Sequence, residues 1–319
     1  MAKIPHIEAI LPLYNEVKNI MPLVRQLEAA AKSLQGKATF SFLFINDGST
    51  DGSKELLERL HSSRNDVRVI HLLHNFGHGP GLACGVEYFN ADIALIMDSD
   101  GQDAPESLVE MFQAWTKGSK TVVAERGKRL EKNSLLFQGF YYLLHKVAHT
   151  LPPINFGTHC LLDKSVIERI RQLKEKNRYF PGLVGYSSSD IYPIRFDRKE
   201  RSDGKSRVGM FGLINLAVTA FLSFSNAPIR LVSILGLVYA TGAFLMGTTI
   251  VVIKIVTPWA IPGWASTMTA VSFGSGIQLL CLGIIGEYIA RIFDEVKDRP
   301  LYLVDKILEP KSRSKQNAA

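Results

Sequence analysis

The stretch "ALIMDSDGQDAPE", residues 94–106, begins as an apolar strand and ends in three acidic residues, Asp98, Asp100 and Asp103. Negative charges held close together at the end of a buried segment repel one another strongly. A divalent cation shared by the carboxylates offsets that repulsion, and Mg²⁺ and Mn²⁺ prefer oxygen ligands. Taken alone, the D-x-D pattern is also typical of a solvated acidic turn. The neighbouring motifs have to distinguish a metal site from a solvated turn. If a metal binds here, Gln102 and Asp103 are candidates to complete its ligand shell.

Between residues 7 and 125, apolar runs alternate with helical patterns. Nearly continuous apolar strands in that arrangement predict an α/β fold with a mainly parallel, Rossmann-like sheet covered on both faces. Ligands bind beyond the carboxyl ends of such strands, where "YNE", "NDGS" and "DSDGQD" all fall. We therefore expect the acids to share one crevice. The predicted strands are 7–14, 40–47, 67–73, 92–98 and 120–125, and the helices lie at 16–34, 52–62, 79–90, 105–116, 133–150 and 163–176.

Two uncharged runs lie near the C-terminal end, at 231–253 and 263–286. Each has about 23 residues, roughly 35 Å as a helix, which is enough to cross a bilayer. Lys and Arg cluster before the first run and after the second, which predicts that both termini face the cytoplasm at the inner membrane. A helical hairpin buried in a soluble core is the alternative. The N-terminal residues show no signal-peptide pattern.

These observations predict a division into four parts. The expected parts are a cytoplasmic α/β domain (1–207), an interfacial amphipathic segment (208–229), two transmembrane helices (230–290) and a cytoplasmic tail (291–319). Small residues in "SFGSG" and "GIIG" of the second helix favour close helix packing and a homo-oligomer.

The net charge of +7 and the pI near 9.2 suggest an acidic partner. The sequence has no P-loop and no G-x-G-x-x-G spacing, which disfavours ATPases and dinucleotide oxidoreductases. No aromatic and basic platform for nucleic acid is visible, so we expect no nucleic-acid partner. The three Cys are widely spaced, which indicates neither a disulfide framework nor a zinc site.

The motifs "LPLYNE" (11–16), "INDGSTDGS" (45–53) and "DSDGQD" (98–103), in this order, resemble family 2 glycosyltransferases of the GT-A fold. The resemblance implies a nucleotide-sugar donor and a divalent cation, Mg²⁺ or Mn²⁺. Asn46 departs from the family pattern, because many relatives have a second Asp there. The implied donor-binding residues are Pro12, Tyr14, Glu16, Asp47 and Asp98, and the implied metal ligands are Asp98, Asp100 and Gln102.

The second half of the chain sharpens the resemblance. "NFG" (75–77), "DGKSR" (203–207) and the segment 283–304 are similar to membrane-anchored bactoprenol and dolichol phosphate sugar transferases, particularly prenyl-phosphate glucosyltransferases. This implies inverting transfer of one hexose, glucose first among the candidates, from a UDP-sugar to a polyprenyl phosphate such as undecaprenyl phosphate. Transfer from GDP-mannose and a non-catalytic nucleotide-sugar sensor are the alternatives. A processive polysaccharide synthase is disfavoured, because Q-x-x-R-W is missing and two spans are too few for a channel.

An anionic acceptor needs cationic side chains, and guanidinium groups bind phosphate oxygens in pairs. A basic cluster beside a membrane span also binds anionic lipid, which is the alternative for the residues of "ERSDGKSR". Arg126 and Arg201, with Asp98 and Asp100, are the expected catalytic residues. The predicted acceptor-phosphate ligands are Arg126, Arg201, Lys205, Ser206 and Arg207.

Five further positions admit more than one role. Thr158 stands where many prenyl-phosphate glucosyltransferases have Asp, and the neighbouring His159 is a weak candidate for a base. His71, His74 and His78 suggest a metal cluster, but alternation along the strand favours histidines at the sheet end instead. His74 also occupies a position where relatives often have Arg, so a donor contact is an alternative.

Overall fold

The computed structural model describes residues 4–126, 156–176, 178–196, 227–256 and 263–310. The chain divides into two compact units, one of residues 1–216 and 300–319 and the other of residues 217–299. The strands are β1 (His6–Leu13), β2 (Thr39–Asn46), β3 (Val67–Leu72), β4 (Ile93–Ile96), β5 (Thr121–Arg126), β6 (Phe156–Asp163), β7 (Tyr192–Phe196) and β8 (Val304–Leu308). The helices are α1 (Val17–Lys32), α2 (Ser53–Ser63), α3 (His78–Tyr88), α4 (Ser107–Thr116), α5 (Lys164–Gln172), α6 (Phe180–Ser187), α7 (Ala227–Val256) and α8 (Trp264–Lys297).

All eight described strands form one sheet in the order β7-β5-β6-β4-β1-β2-β3-β8. Strand β1 pairs in parallel with β2 and β4, β2 with β3, and β5 with β7. Strand β6 runs antiparallel to β4 and β5, and β8 runs antiparallel to β3. The predicted mainly parallel α/β sheet is confirmed.

Both faces of the sheet are covered, as continuous apolar strands require. Along β1, Ile7, Ala9 and Leu11 pack in one buried cluster with residues of α1, α2 and α4. Ile10 packs in a second cluster with residues of α3, α5 and α6. Successive strand residues point to opposite faces, so each face needs its own apolar set.

The five predicted strands and the helices at 16–34, 52–62, 79–90, 105–116 and 163–176 are present with shifted ends. The helical pattern at 133–150 and the segment 208–226 lie outside the described residues. Strands β6, β7 and β8 and helix α6 were not predicted. Strand β6 has the sequence "FGTHCLLD". Its first half contains glycine and polar residues instead of an apolar run, so the hydrophobic pattern does not predict a strand there.

The second unit contains α7 and α8. Its windows Val232–Thr249 and Phe273–Lys297 are long and apolar enough to cross a membrane, and only 6% and 0% of their residues are buried. That exposure argues against a buried core hairpin. The two helices approach closely at Gly274, where a Cβ would lie 2.0 Å from Tyr239 Oη. Helix α8 continues to Lys297, beyond the predicted boundary at residue 290.

After α8 the chain returns to the sheet, where β8 covers the edge of β3. The Arg68 guanidinium fastens this edge, because it donates to Glu8 Oε1 at 3.0 Å and to Glu309 Oε1 at 2.8 Å. Arg68 and Glu8 are both buried. A buried cation between two carboxylates is costly to leave unpaired, so the pairing ties residue 309 to the sheet.

Helix α3 lies unusually close to β1 at Gly85, and this contact gives a stability prediction. A Cβ at Gly85 would lie 2.2 Å from Ile10 Cγ2, within the buried core. Gly85→Ala should therefore lower the free energy of unfolding by about 1–3 kcal/mol through overpacking. Thermal unfolding of the full chain in detergent measures this.

Gly81→Ala is the matched control on the same helix. Its Cβ would find Pro12 Cβ at 3.5 Å, an ordinary contact. Replacing a helical glycine by alanine there should stabilise the helix by up to about 1 kcal/mol. Equal melting temperatures for the two variants would contradict the close approach at Gly85.

Candidate active site

The acidic turn follows β4 and is closed by its own carboxylates. The Asp98 N–H donates to Asp103 Oδ2 at 3.1 Å, and the Gln102 N–H donates to Asp100 Oδ1 at 3.0 Å. Gly101 turns the chain with φ of +75°, a conformation that glycine adopts without strain. The turn is thus preorganised by short-range hydrogen bonds, with Asp103 as a structural member.

Asp98 lies at the centre of the site, with 23% of its side chain exposed. Its Oδ1 accepts a hydrogen bond from Thr158 Oγ1 at 2.9 Å and lies 3.5 Å from His78 Nε2. Burial raises the pKa of Asp98, and the nearby Asp103 and Asp100 raise it further. His78 and the Thr158 hydroxyl oppose that rise. Burial and the neighbouring acids thus disfavour the charged form of Asp98, and His78 and Thr158 favour it.

A hard divalent cation fits this set of residues. Asp98, Asp100 and Gln102 offer oxygen atoms, and Mg²⁺ is usually held by one or two carboxylates plus phosphate oxygens of a substrate. Within the described ranges, no three His, Cys, Asp or Glu side chains converge as a complete metal cage. The arrangement suits a cation that the substrate helps to bind.

Asp47 follows β2 and locks two loops together. Its Oδ1 and Oδ2 accept the N–H groups of Phe76 and Gly77, each at 2.8 Å. Burial raises the pKa of Asp47, while these two N–H groups lower it. At Gly48, with φ of +66°, a Cβ would lie 2.5 Å from the backbone carbon of His74. The "NDG" turn and the "NFG" loop are therefore packed backbone to backbone.

Asn46 is buried and holds the same turn from behind. Its Oδ1 accepts the Ser49 N–H at 3.1 Å, and its Nδ2 donates to His71 Nδ1 at 2.9 Å. His71 Nδ1 must then be an acceptor, which assigns the proton of a neutral ring to Nε2. Burial lowers the pKa of His71, with Lys54 adding to the effect and Glu58 opposing it.

The first-strand motif lies beside these loops. Pro12 is buried in β1 opposite Ile45, whereas Tyr14 is 38% exposed. Glu16 precedes α1, and its Oε2 accepts Asn19 Nδ2 at 2.5 Å. Because β4, β1 and β2 are adjacent and parallel, all three motifs lie at one edge of the sheet.

His159 is buried beneath the acidic turn rather than exposed beside Asp98. It is 5% exposed, with Nε2 3.1 Å from Ser107 Oγ and Nδ1 3.9 Å from Asp103 Oδ2. Thr158 and His159 follow one another in β6 and so point to opposite faces. His159 packs against the acidic turn through Ser107 and Asp103. Recognising 156–163 as a strand would have predicted that Thr158 and His159 point to opposite faces.

The predicted acceptor ligands are not described. Arg126 ends β5, where its backbone pairs with Phe196, and its side chain lies outside the described part. Arg201, Lys205, Ser206 and Arg207 fall in the segment 197–226, which is also outside it.

A covered, mainly parallel sheet with a D-x-D turn at its carboxyl edge defines the GT-A class of glycosyltransferase. The glycosyl transferase family 2 profile matches residues 8–171. The crystal structure of glucosyl-3-phosphoglycerate synthase from Mycobacterium tuberculosis, in complex with Mg²⁺ and UDP, has a similar fold. Its TM-score is 0.50 at 15% identity, over 69% of this chain and 79% of that one.

Relatives match over nearly the full length. The Uncharacterized glycosyltransferase YkcC of Bacillus subtilis (strain 168) is 34% identical over 93% of this chain and 92% of its own. The SfII prophage-derived bactoprenol glucosyl transferase of Shigella flexneri is 30% identical over 94% of this chain and 97% of its own. The chain belongs to glycosyl transferase family 2.

The pairing of Asn46 with neutral His71 predicts a pH dependence of stability. A lowered folded pKa means that the unfolded chain binds the proton first as the pH falls below 6.5, the ordinary value for histidine. Stability is then complete above pH 6.5 and is lost towards the folded pKa, by at most about 1.4 kcal/mol per pH unit.

His71→Gln should remove this part of the pH dependence in thermal unfolding between pH 5 and 8. His74→Gln is the matched control for replacing a nearby histidine, because His74 is exposed and lies outside the Asn46 pair. An unaltered slope in His71→Gln would exclude the neutral pairing.

Proposed function

We propose that this chain transfers a single glucose from UDP-glucose to a polyprenyl phosphate, with inversion at the anomeric carbon. The observation that carries the proposal is the match to a bactoprenol glucosyl transferase over 94% of this chain and 97% of that relative. Transfer from GDP-mannose, the rival reaction, is supported by no specific contact in the described residues.

The nucleoside would lie between the first two motifs. Asp47 is the candidate for the uracil or ribose, and Pro12, Tyr14 and Glu16 would surround the base. The exposed Tyr14 ring offers an apolar face with a polar tip. The hydrogen bonds that hold Asp47 fix it in place before the donor arrives, so less ordering is needed on binding.

Asp98, Asp100 and Gln102 would hold Mg²⁺ or Mn²⁺ together with the diphosphate of the donor. When bound, the cation would supply neutralisation of the diphosphate and of the charge on the leaving nucleotide. The hydrogen bond from the Thr158 hydroxyl to Oδ1 fixes the orientation of the Asp98 carboxylate. The site therefore favours departure of the nucleotide.

A polyprenyl phosphate is already ionised at neutral pH, so its oxygen attacks without a general base. The reaction therefore does not require a base at position 158, where this chain has Thr158 instead of the Asp found in many relatives. Arg126, Arg201, Lys205, Ser206 and Arg207 would hold the acceptor phosphate. In-line attack opposite the leaving group produces the inversion.

The acceptor is a lipid, and α7 and α8 suit a membrane anchor. In the proposed topology these helices span the inner membrane twice, with the catalytic domain and both termini in the cytoplasm. We also propose a homo-oligomer. Gly276, Gly283 and Gly286 of α8, which unlike Gly274 do not approach Tyr239, are the candidate contacts between copies.

A partition assay tests the reaction. Purified protein, Mn²⁺, undecaprenyl phosphate and labelled UDP-glucose should move label into the organic phase. Asp100→Asn should reduce the rate by about 100-fold or more, because electrostatic stabilisation of the leaving group is lost. Asp305→Asn removes one carboxylate of a half-exposed ion pair with Lys54 and should leave the rate unchanged.

Two other results would contradict the proposal. Transfer from GDP-mannose but not from UDP-glucose would establish the rival reaction. Nucleotide binding without transfer from any of a panel of donors would indicate a sensor.

The role of Thr158 is tested in the same assay. Thr158→Val removes the donor to Asp98 and should lower the rate by about tenfold, the cost of one hydrogen bond to a charged group. Thr158→Ser keeps the hydroxyl and should stay near the wild-type rate. A loss in Thr158→Val as large as in Asp100→Asn would mean that Thr158 contacts the reacting atoms.

A further inference from the structure

His78 lies between the two acids expected to bind opposite ends of the donor. It is the first residue of α3 and follows Gly77, whose N–H donates to Asp47 Oδ2. The His78 ring reaches the other side of the crevice, where Nε2 lies 3.5 Å from Asp98 Oδ1. Its side chain is 52% exposed, so a ligand has access to it.

We propose that His78 binds the diphosphate of the donor through an imidazole N–H. The inference rests on the proposed function, in which Asp47 contacts the nucleoside and Asp98 contacts the cation. A ligand that touches both acids has its diphosphate between them, beside His78. The ring and the cation would then present donor and positive groups to the same phosphate oxygens.

The backbone around His78 leaves room for this ligand. A Cβ at Gly77 would find no atom within 4 Å, and one at Gly79 would find only the Arg178 carbonyl oxygen at 3.9 Å. Gly77 has φ of +98°, which by itself favours glycine. Gly79 is required neither by a positive φ nor by packing, so close approach of a ligand to the backbone accounts for its small size. The start of the 11-residue helix α3 also carries partial positive charge, which favours an anion.

The same geometry admits two other roles for His78. As a ligand of the cation, its Nε2 would bind the metal directly. As a support for Asp98 alone, it would act only through that carboxylate. The three roles differ in which ligand loses affinity when the ring is removed.

Equilibrium binding to the full chain in detergent separates them. UDP and uridine are compared in the presence of Mg²⁺, and Mn²⁺ affinity is measured by electron paramagnetic resonance without nucleotide. His78→Ala should weaken UDP binding by about tenfold, the usual effect of one charged hydrogen bond, and leave uridine and Mn²⁺ affinities unchanged. His78→Lys keeps an N–H donor at this position and should restore UDP binding.

His61→Gln, on α2, is the control for replacing a histidine outside the crevice and should bind UDP like the wild type. Unchanged UDP affinity in His78→Ala would overturn the proposal. Loss of Mn²⁺ affinity in His78→Ala and His78→Lys alike would overturn it in favour of a metal ligand or a support for Asp98.

Failure of the proposed donor gives a different result. A wild-type protein that binds GDP instead of UDP would overturn the choice of UDP-glucose, and GDP against guanosine would then decide the role of His78 by the same criteria. A wild-type protein that binds neither diphosphate would overturn both proposals.

Discussion

Repulsion among the carboxylates after β4 is the constraint on which the site depends. Asp98 is poorly solvated and faces Asp103 and Asp100, so its charged form needs support from elsewhere. Strand β6 supplies that support because it pairs with β4. Thr158 donates to Asp98 on one face, and His159 lies beside Asp103 on the other. In the proposed reaction, a bound cation would further offset the negative charge of these carboxylates.

The sequence predicts the parts of the fold that repeat a simple pattern. Strands β1 to β4 are continuous apolar runs, so their period and their polar ends are readable without the structure. Strand β6 is not readable in this way, because the residues at 156–159 serve the site as well as the sheet. Local rules fail most often at such positions, where function selects the side chains. Asn46 is a further case, since its partner His71 lies 25 residues away.

Strand β8 escaped prediction for another reason. Five residues that include Asp305 and Lys306 have no apolar periodicity, and their pairing with β3 joins positions more than 230 residues apart. A strand of this kind forms because it can pair and pack with the exposed edge of β3, and its own local sequence gives little indication of it. Here the edge is specified by charge, because Arg68 needs both Glu8 and Glu309. The uncharged runs of α7 and α8, by contrast, were evident from composition alone.

The residues just before β8 contact the loop that follows β3 and the helix α3. The Leu73 N–H donates to the Leu303 carbonyl at 2.9 Å, immediately before the loop whose N–H groups bind Asp47. Tyr302 packs against the buried cluster that includes Cys84 of α3, the helix that begins at His78. Residues 302 and 303 thus contact both ends of the segment 73–84, which contains the loop that binds Asp47. In the proposed reaction, ordering this loop in advance lowers the entropy lost when the nucleotide binds. Residues 302 and 303, which precede β8, would then contribute to donor affinity without touching the donor.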